Sequence, residues 1–498
     1  MRSRSSSRSS GSSASSNVDP TRRRFLSRQA VHSIGAAVVT QVLARMSSSP
    51  VKQHEDPELP GPYITESTSL LNSKQETPCE ADPRTRGAVW SALTALMVAA
   101  LVVLLFFQDS LPDRFAPWLG TLPKDPLLAA LKILETAPVI DGHIDLPWLV
   151  RMQYANNISA IDLESTMPGH VDIPRLRQGK VGGFFWSVYV NCADPEAEGS
   201  EFLSASWKVR DTLEQIDSAR MSIEKYSDTF QLALGSSEIK SAITGGKIAS
   251  LIGVEGGHQL GNSIAVLRQY HSLGVRYMTL THVCHNAFAD SCGLSPGKKP
   301  LHGGLSTLGH ALIDEMNRLG VLVDLSHTSD ATAAQALNYS KAPVIWSHSS
   351  SRAVHDHVRN IPDDVLKLVG TGEGQSDAVI MVNFAPNFVA DPGQATLQVV
   401  ANHVEHIASI TGKQHVGIGS DFDGIGSTPA GLEDVSTYPA LVAELYRRGW
   451  NKYELAGFTG GNLLRIFEGA EKVSSQLKDS GMSPVYDIYD KRKDIPGK

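Results

Sequence analysis

Residues 137–145 read APVIDGHID, a short apolar run that ends in an acid, an imidazole and a second acid. The pattern returns in IASLIGVEGG (248–257), VLVDLSH (321–327), APVIWSHSS (342–350) and HVGIGSDFDG (415–424). Short apolar runs between helical patterns predict buried parallel strands. His143 and Asp145, Glu255, His327, His348 and Asp421 stand at their downstream ends. A (β/α)8 barrel places its active site at that end of its strands, so these six side chains form one candidate site.

Three further runs, VGGFFWSVYV (181–190), VRYMTLTHV (275–283) and AVIMVNFAP (378–386), bring the total to eight. Helical periodicity lies between them: Ile264, Leu267, Tyr270 and Leu273 share a face, as do Leu308, Leu312, Met316 and Leu319, and Val400, Val404, Ile407 and Ile410. Eight strand–helix alternations predict an α/β fold, a TIM-type (β/α)8 barrel, with an open doubly wound sheet as the alternative.

The residue types at the run ends suit a metal-dependent hydrolase. Residues two apart in a strand face the same side, so His143 and Asp145 can reach one cation. Glu255 ends an apolar run where an unpaired carboxylate is costly to bury, and its two oxygens can bridge two cations. The glycines after it, Gly256 and Gly257, are expected to let backbone and metal approach. His327 and His348 close successive strands as neutral imidazole ligands. Any one of these residues alone reads equally as a hydrogen-bonded core group; their shared position at strand ends is what argues for metal. Asp421 suits a general acid/base or a clamp for a substrate ammonium. His282 can hydrogen-bond an oxyanion, and Arg359, in the loop VRNIPDD, can pair with a substrate carboxylate.

Outside the barrel the chain changes character. The first 50 residues carry eight Arg and one acid, in a Ser-rich stretch that lacks the apolar content for a core; 1–86 is expected to be a disordered basic tail. Within it, TRRRFLSRQAVHSIGAAVVTQVLA (21–44) is similar to a twin-arginine signal or a transit peptide, but its apolar run is broken by His32, Ser33 and Gln41. AVWSALTALMVAALVVLLFF (88–107) has no charge and no proline. It is long enough for a transmembrane helix, and a signal anchor is expected over 87–108. The basic tail places the N-terminus in the cytosol and the rest in the lumen or outside the cell. A stalk (109–126), a catalytic domain (127–475) and a polar tail (476–498) would follow. The net charge of -7 gives no case for nucleic acid. Asn157 and Asn338 begin glycosylation sequons that are usable only in a lumenal domain. Cys79 falls before the apolar stretch, as a free thiol or a palmitoylation site. Cys192, Cys284 and Cys292 fall after it, an odd number for disulfide pairing.

The ordered motifs DGHIDLPW, GVEGGH, LTHVC, VDLSH, WSHSS, RNIPDD and GSDFDG resemble the renal (membrane) dipeptidases, peptidase family M19 of the amidohydrolase superfamily. The resemblance covers about 127–475 and includes FTGGNLLRIF (458–467), which is similar to the family's closing helix. It implies two Zn2+ per chain, one held by His143, Asp145 and Glu255, the other by Glu255, His327 and His348. It implies substrate contacts from His282, Arg359 and Asp421, and a Cys192–Cys284 disulfide that leaves Cys292 unpaired. The implied activity is zinc-dependent hydrolysis of dipeptides by a metal-bridging hydroxide, with both substrate termini clamped. Homodimers are common in the family, although no interface is visible in this sequence. The polar C-terminus lacks the lipid-anchor signal of mammalian members, so the N-terminal helix would provide the membrane attachment. Two other readings stay open: the same site acting on a specialised amide such as a Cys-Gly conjugate or a β-lactam-like ring, and a non-catalytic cell-surface binding protein.

Overall fold

All eight apolar runs become parallel strands in a computed structural model that describes residues 90–100, 122–192, 202, 206–492 and 495. They are β1 (Val139–Ile144), β2 (Val181–Val188), β4 (Ile248–Glu255), β5 (Val275–Thr279), β6 (Leu322–Asp324), β7 (Val344–Trp346), β8 (Ala378–Val382) and β9 (Val416–Ile418). Each pairs with the next in chain order, so the strand order never reverses as it would in a doubly wound sheet. The barrel is nearly closed. At its mouth the chain beyond β9 reaches β1 through two hydrogen bonds: Asp421 N–H donates to the His143 carbonyl at 3.0 Å, and Asp145 N–H to the Phe422 carbonyl at 2.8 Å.

The strands are shorter than the runs that predicted them. β6 keeps three of the seven residues in 321–327, and β9 three of the ten in 415–424. The remainder of each run leaves the sheet as loop, and there the ligating side chains sit. A ninth strand, β3 (Phe230–Leu232), pairs only with β4, on the edge opposite β2, and no motif announced it.

Alternation along the strands sorts the side chains. Ile140, Phe185, Leu251, Tyr277, Leu322, Ile345, Val379 and Met381 gather into one buried cluster with Leu463, Ile466 and Phe467 of the helix Asn462–Asp479, which belongs to the closing motif. Their neighbours, among them Val139, Phe184, Trp186, Val254 and Met278, pack with the surrounding helices in a larger one. Each fully buried Leu, Ile or Phe contributes about 1.5–3 kcal/mol. Close approach sets the composition of β4: a Cβ on Gly253 would overlap the Tyr277 ring, so that ring fits only over a glycine.

The edges of the domain differ in detail from the sequence-based boundaries. Asp125 caps the helix Pro126–Leu134 by accepting from Leu128 N–H at 2.9 Å. Leu122 already packs on the core. The last helix runs to Asp479, and Tyr489 beyond it is buried. The tail 1–86 and residues 109–121 of the expected stalk lie outside the described residues. Of the expected membrane span only 90–100 is described. It is helical and exposed throughout, and no helix among the described residues is long and apolar enough to cross a membrane.

Candidate metal centre

Glu255, the last residue of β4, is the hub of the barrel mouth. Its Oε1 lies 3.0 Å from His327 Nε2, 3.4 Å from His348 Nε2, 3.7 Å from His143 Nε2 and 3.8 Å from His282 Nε2. One carboxylate oxygen thus faces four imidazoles carried by the C-terminal ends of four other strands. His143 is still within β1; His282, His327 and His348 have just left β5, β6 and β7. Asp145 follows β1 and places Oδ2 3.1 Å from His143 Nε2. His327 and Asp421 both adopt positive φ, at 64° and 67°, the turns that swing their side chains inward after very short strands.

Two sets of possible ligand atoms, from His143, Asp145 and Glu255 and from Glu255, His327 and His348, each lie within 4.8 Å of one another and share Glu255. A third set joins His143, His348 and Asp421. The bare arrangement is electrostatically incomplete. His327 Nε2 and His348 Nε2 face each other at 3.0 Å. Burial pushes both imidazoles well below their usual range, so both are neutral. With their protons on Nδ1, two lone pairs would point at each other, a contact that a cation between them relieves. Asp145 Oδ1 is buried without a hydrogen-bond partner. Burial alone would lower His143, but the Asp145 and Glu255 carboxylates outweigh it and hold this imidazole up at about 10, so a proton sits where a cation would balance the same charges. The residues fit a pair of divalent ions.

A layer of partners beneath the ligands, which the motifs did not announce, orients them. Tyr277 OH lies 2.8 Å from His143 Nδ1. Ser347 Oγ lies 2.8 Å from His348 Nδ1 and donates to Asp324 Oδ2 at 2.6 Å. Asp141 accepts from His143 N–H at 2.8 Å, from Ser420 N–H at 3.1 Å and from Tyr438 OH at 2.5 Å, tying β1 to the chain after β9. Burial raises Asp141 to about 6 despite those donors. Asp141 and Asp324 carry a sequence signal in hindsight: each is a lone acid inside an apolar strand. Tyr277 and Ser347 carry none.

Above the ligands opens a cavity of about 420 Å³. Asp145, Glu255, His282, His327 and Asp421 reach it, and Trp148, Leu294, Phe388 and Ile425 give it apolar walls. Asp421 Oδ2 accepts from Asn383 Nδ2 at 2.9 Å; burial raises this carboxyl to about 7, with nearby Asp145 adding and His143 opposing. Burial keeps His282 neutral. Arg359 is the exception. It does not line this cavity but lies one layer behind, only 3% exposed, with its guanidinium carbon 5.3 Å from the centroid of the Phe388 ring. It donates to Ser349 Oγ at 3.4 Å and to the His348 carbonyl at 3.2 Å, while its Nε has no partner. Among the described residues no carboxylate lies within 4.0 Å of it. The glycines after Glu255 admit the close approach of backbone expected of them: a Cβ on Gly257 would meet the Leu280 carbonyl at 2.8 Å, and one on Gly256 would meet His258 Nδ1 at 2.5 Å.

Cys192 and Cys284 form a disulfide, and Cys292 is free. Asn157 and Asn338 are both exposed. Cys79 lies outside the described residues.

Comparison with known proteins agrees with this geometry. The family model for membrane dipeptidase (peptidase family M19) matches residues 128–481. Dipeptidase verJ of Clonostachys rogersoniana is 45% identical over 367 residues, 74% of this chain and 92% of that protein. Dipeptidase aclJ of Aspergillus oryzae is 42% identical over 396 residues, 78% of this chain and 90% of that protein. A crystal structure of a metallo peptidase from Rhodobacter sphaeroides, liganded with a phosphinate mimic of the dipeptide L-Ala-D-Ala, superposes with a TM-score of 0.60 at 26% identity, covering 67% of this chain and 99% of that one. The chain, with four imidazoles and three carboxylates gathered at its barrel mouth and with that model matching most of its length, belongs to the membrane dipeptidase family, peptidase family M19, and is a dipeptidase-like metallohydrolase.

Proposed function

We propose that the chain hydrolyses dipeptides at two zinc ions, one held by His143, Asp145 and Glu255 and the other by Glu255, His327 and His348. The observation that carries this is the sharing of Glu255 by two buried donor sets at the floor of one cavity. Imidazole and carboxylate donors suit zinc. When bound, the ions would polarise the scissile carbonyl and acidify a water.

The chain's own groups supply the rest. Asp421, with its carboxyl near 7, can hold or release a proton at neutral pH, as required to hand one to the departing amine. Its charged form would attract the substrate's ammonium. His282, neutral and facing Glu255, donates from Nε2 to the developing oxyanion. Arg359, a buried cation without a carboxylate, is the partner for the substrate's C-terminus, reached past Phe388. Clamping both ends would exclude longer peptides. The phosphinate dipeptide mimic bound by the Rhodobacter relative supports a dipeptide-sized substrate. The apolar walls favour dipeptides with bulky side chains.

The test is hydrolysis of a panel of dipeptides and matching tripeptides by the full-length chain. Dipeptide cleavage that stops with a chelator and returns with zinc, together with inert tripeptides, is expected. A folded, zinc-loaded chain that cleaves none of them overturns the proposal.

The chain would be tethered to a membrane by residues 87–108, with the catalytic domain lumenal or extracellular. The uncharged stretch 88–107 supports this, as does the exposure of Trp90, Leu96 and Met97 at 70%, 68% and 73%. Release of the chain from membranes by carbonate washing would refute it.

A further inference from the structure

We propose that reduction of the Cys192–Cys284 disulfide turns this corner of the mouth into a third metal site, in which the two thiolates, His258 and His282 Nδ1 take a soft divalent ion of the zinc class. The corner lies beside the catalytic centre, and none of its sulfur or His258 atoms is used there. Cys192 follows β2 and Cys284 follows β5, with Cα atoms 6.0 Å apart. A ring nitrogen of His258 and the two sulfurs all lie within 4.8 Å of one another.

His258 is already prepared as a ligand. It is 3% exposed. Its Nε2 lies 2.8 Å from the Val190 carbonyl and can only donate there, which leaves Nδ1 with a lone pair. That buried Nδ1 has no hydrogen-bond partner. A fourth donor lies beside this set, since His282 Nδ1 is 3.9 Å from Cys192 Sγ. Ligands at about 2.3 Å for sulfur and about 2.0 Å for nitrogen, around a tetrahedral ion, stand roughly 3.3–3.8 Å apart, so the sulfurs must separate by side-chain rotation to take an ion. In the oxidised chain the S–S bond fills this space and the site does not exist.

The redox step balances with a dithiol as reductant. The dithiol gives up two electrons and two protons and becomes a disulfide. The Cys192–Cys284 bond breaks and each sulfur takes a proton; metal binding then releases both protons to solvent.

The experiment loads the full-length chain with cobalt before and after reduction by dithiothreitol and anaerobic desalting. Metal content and the near-ultraviolet thiolate-to-cobalt absorption are measured. The reduced chain is expected to bind one cobalt more than the oxidised chain and to gain the thiolate band. The band should persist in Cys292→Ser and disappear in Cys192→Ser/Cys284→Ser. The variant His258→Ala, which keeps the disulfide for folding, should lose the extra cobalt after reduction, with circular dichroism confirming that it stays folded. Equal cobalt content and no thiolate band in a reduced, folded chain whose new thiols are titrated overturn the proposal.

Discussion

Replacing Tyr277 with Phe removes one oxygen from the floor of the site and tests whether His143 is a metal ligand. The ring itself should stay in place. It is fully buried, its centroid lies 4.7 Å from that of Phe185, and Gly253 leaves the space it fills. What disappears is the 2.8 Å contact between Tyr277 OH and His143 Nδ1, together with a weaker interaction of the hydroxyl with Ser347. A buried ring nitrogen left without a partner costs about 1–3 kcal/mol, which should appear as lower stability of the metal-free chain. Loss of a group that orients a metal-bound imidazole typically weakens metal binding about 10–100-fold, or about 1.4–2.7 kcal/mol. The two ions should respond unequally, because His348 keeps Ser347 and His327 Nδ1 has no partner to lose. Stepwise chelator competition on the zinc-loaded chain would resolve this as one dissociation constant shifted and the other unchanged. If both constants match those of the parent chain while the metal-free variant loses its expected stability, Tyr277 only packs, and His143 is not a ligand.

Asp421→Asn should cut turnover about 10²–10⁴-fold. Its effect on stability has the opposite sign in the metal-free chain. Burial raises the folded carboxyl to about 7, so the parent is most stable with Asp421 protonated and loses that contribution as pH rises from about 4 through 7. The variant should therefore melt higher than the parent at pH 8 and about equally at pH 4; a gap that does not widen with pH would refute burial as the cause. Arg359→Met should raise the KM of dipeptides without destabilising the fold, since the guanidinium has no carboxylate to abandon. A C-terminally amidated dipeptide should be indifferent to the change, and an equal loss on both substrates would exclude the carboxylate contact. Gly253→Ala should cost about 1–3 kcal/mol by forcing a methyl into the Tyr277 ring, measured by urea unfolding; a neutral result would mean the ring has another place to go.

The strand ends were legible because burying acid and imidazole at the end of an apolar run is too costly to be accidental. Glu255 is the clearest case, with four imidazoles around one oxygen. Less legible was how early the strands stop. His327 and Asp421 enter the site from left-handed turns, which a run of hydrophobic letters does not encode. β3 escaped notice because three residues pairing with a single neighbour carry too little pattern. Tyr277 reaches His143 from a strand that does not pair with β1, and Ser347 bonds to its own neighbour His348; alternation within one strand says nothing about either contact. Arg359 illustrates the converse: the sequence locates its loop, but only the packing of Phe388 shows that the guanidinium lies behind the cavity wall.

The hydrogen bonds that close the barrel at its mouth have a temporal side. Asp141 and Ser420, which bond across that seam, are 279 residues apart in the chain. At about 5–20 residues per second, a ribosome needs roughly 15–55 s to make the intervening polypeptide. Throughout that interval His143 and Asp145 have been synthesised, yet the wall that holds them against Asp421 has not. The nascent chain is thus a latecomer to its own chemistry: a polypeptide interrupted between His348 and β9 carries every proposed metal-binding letter and cannot assemble them into a working mouth.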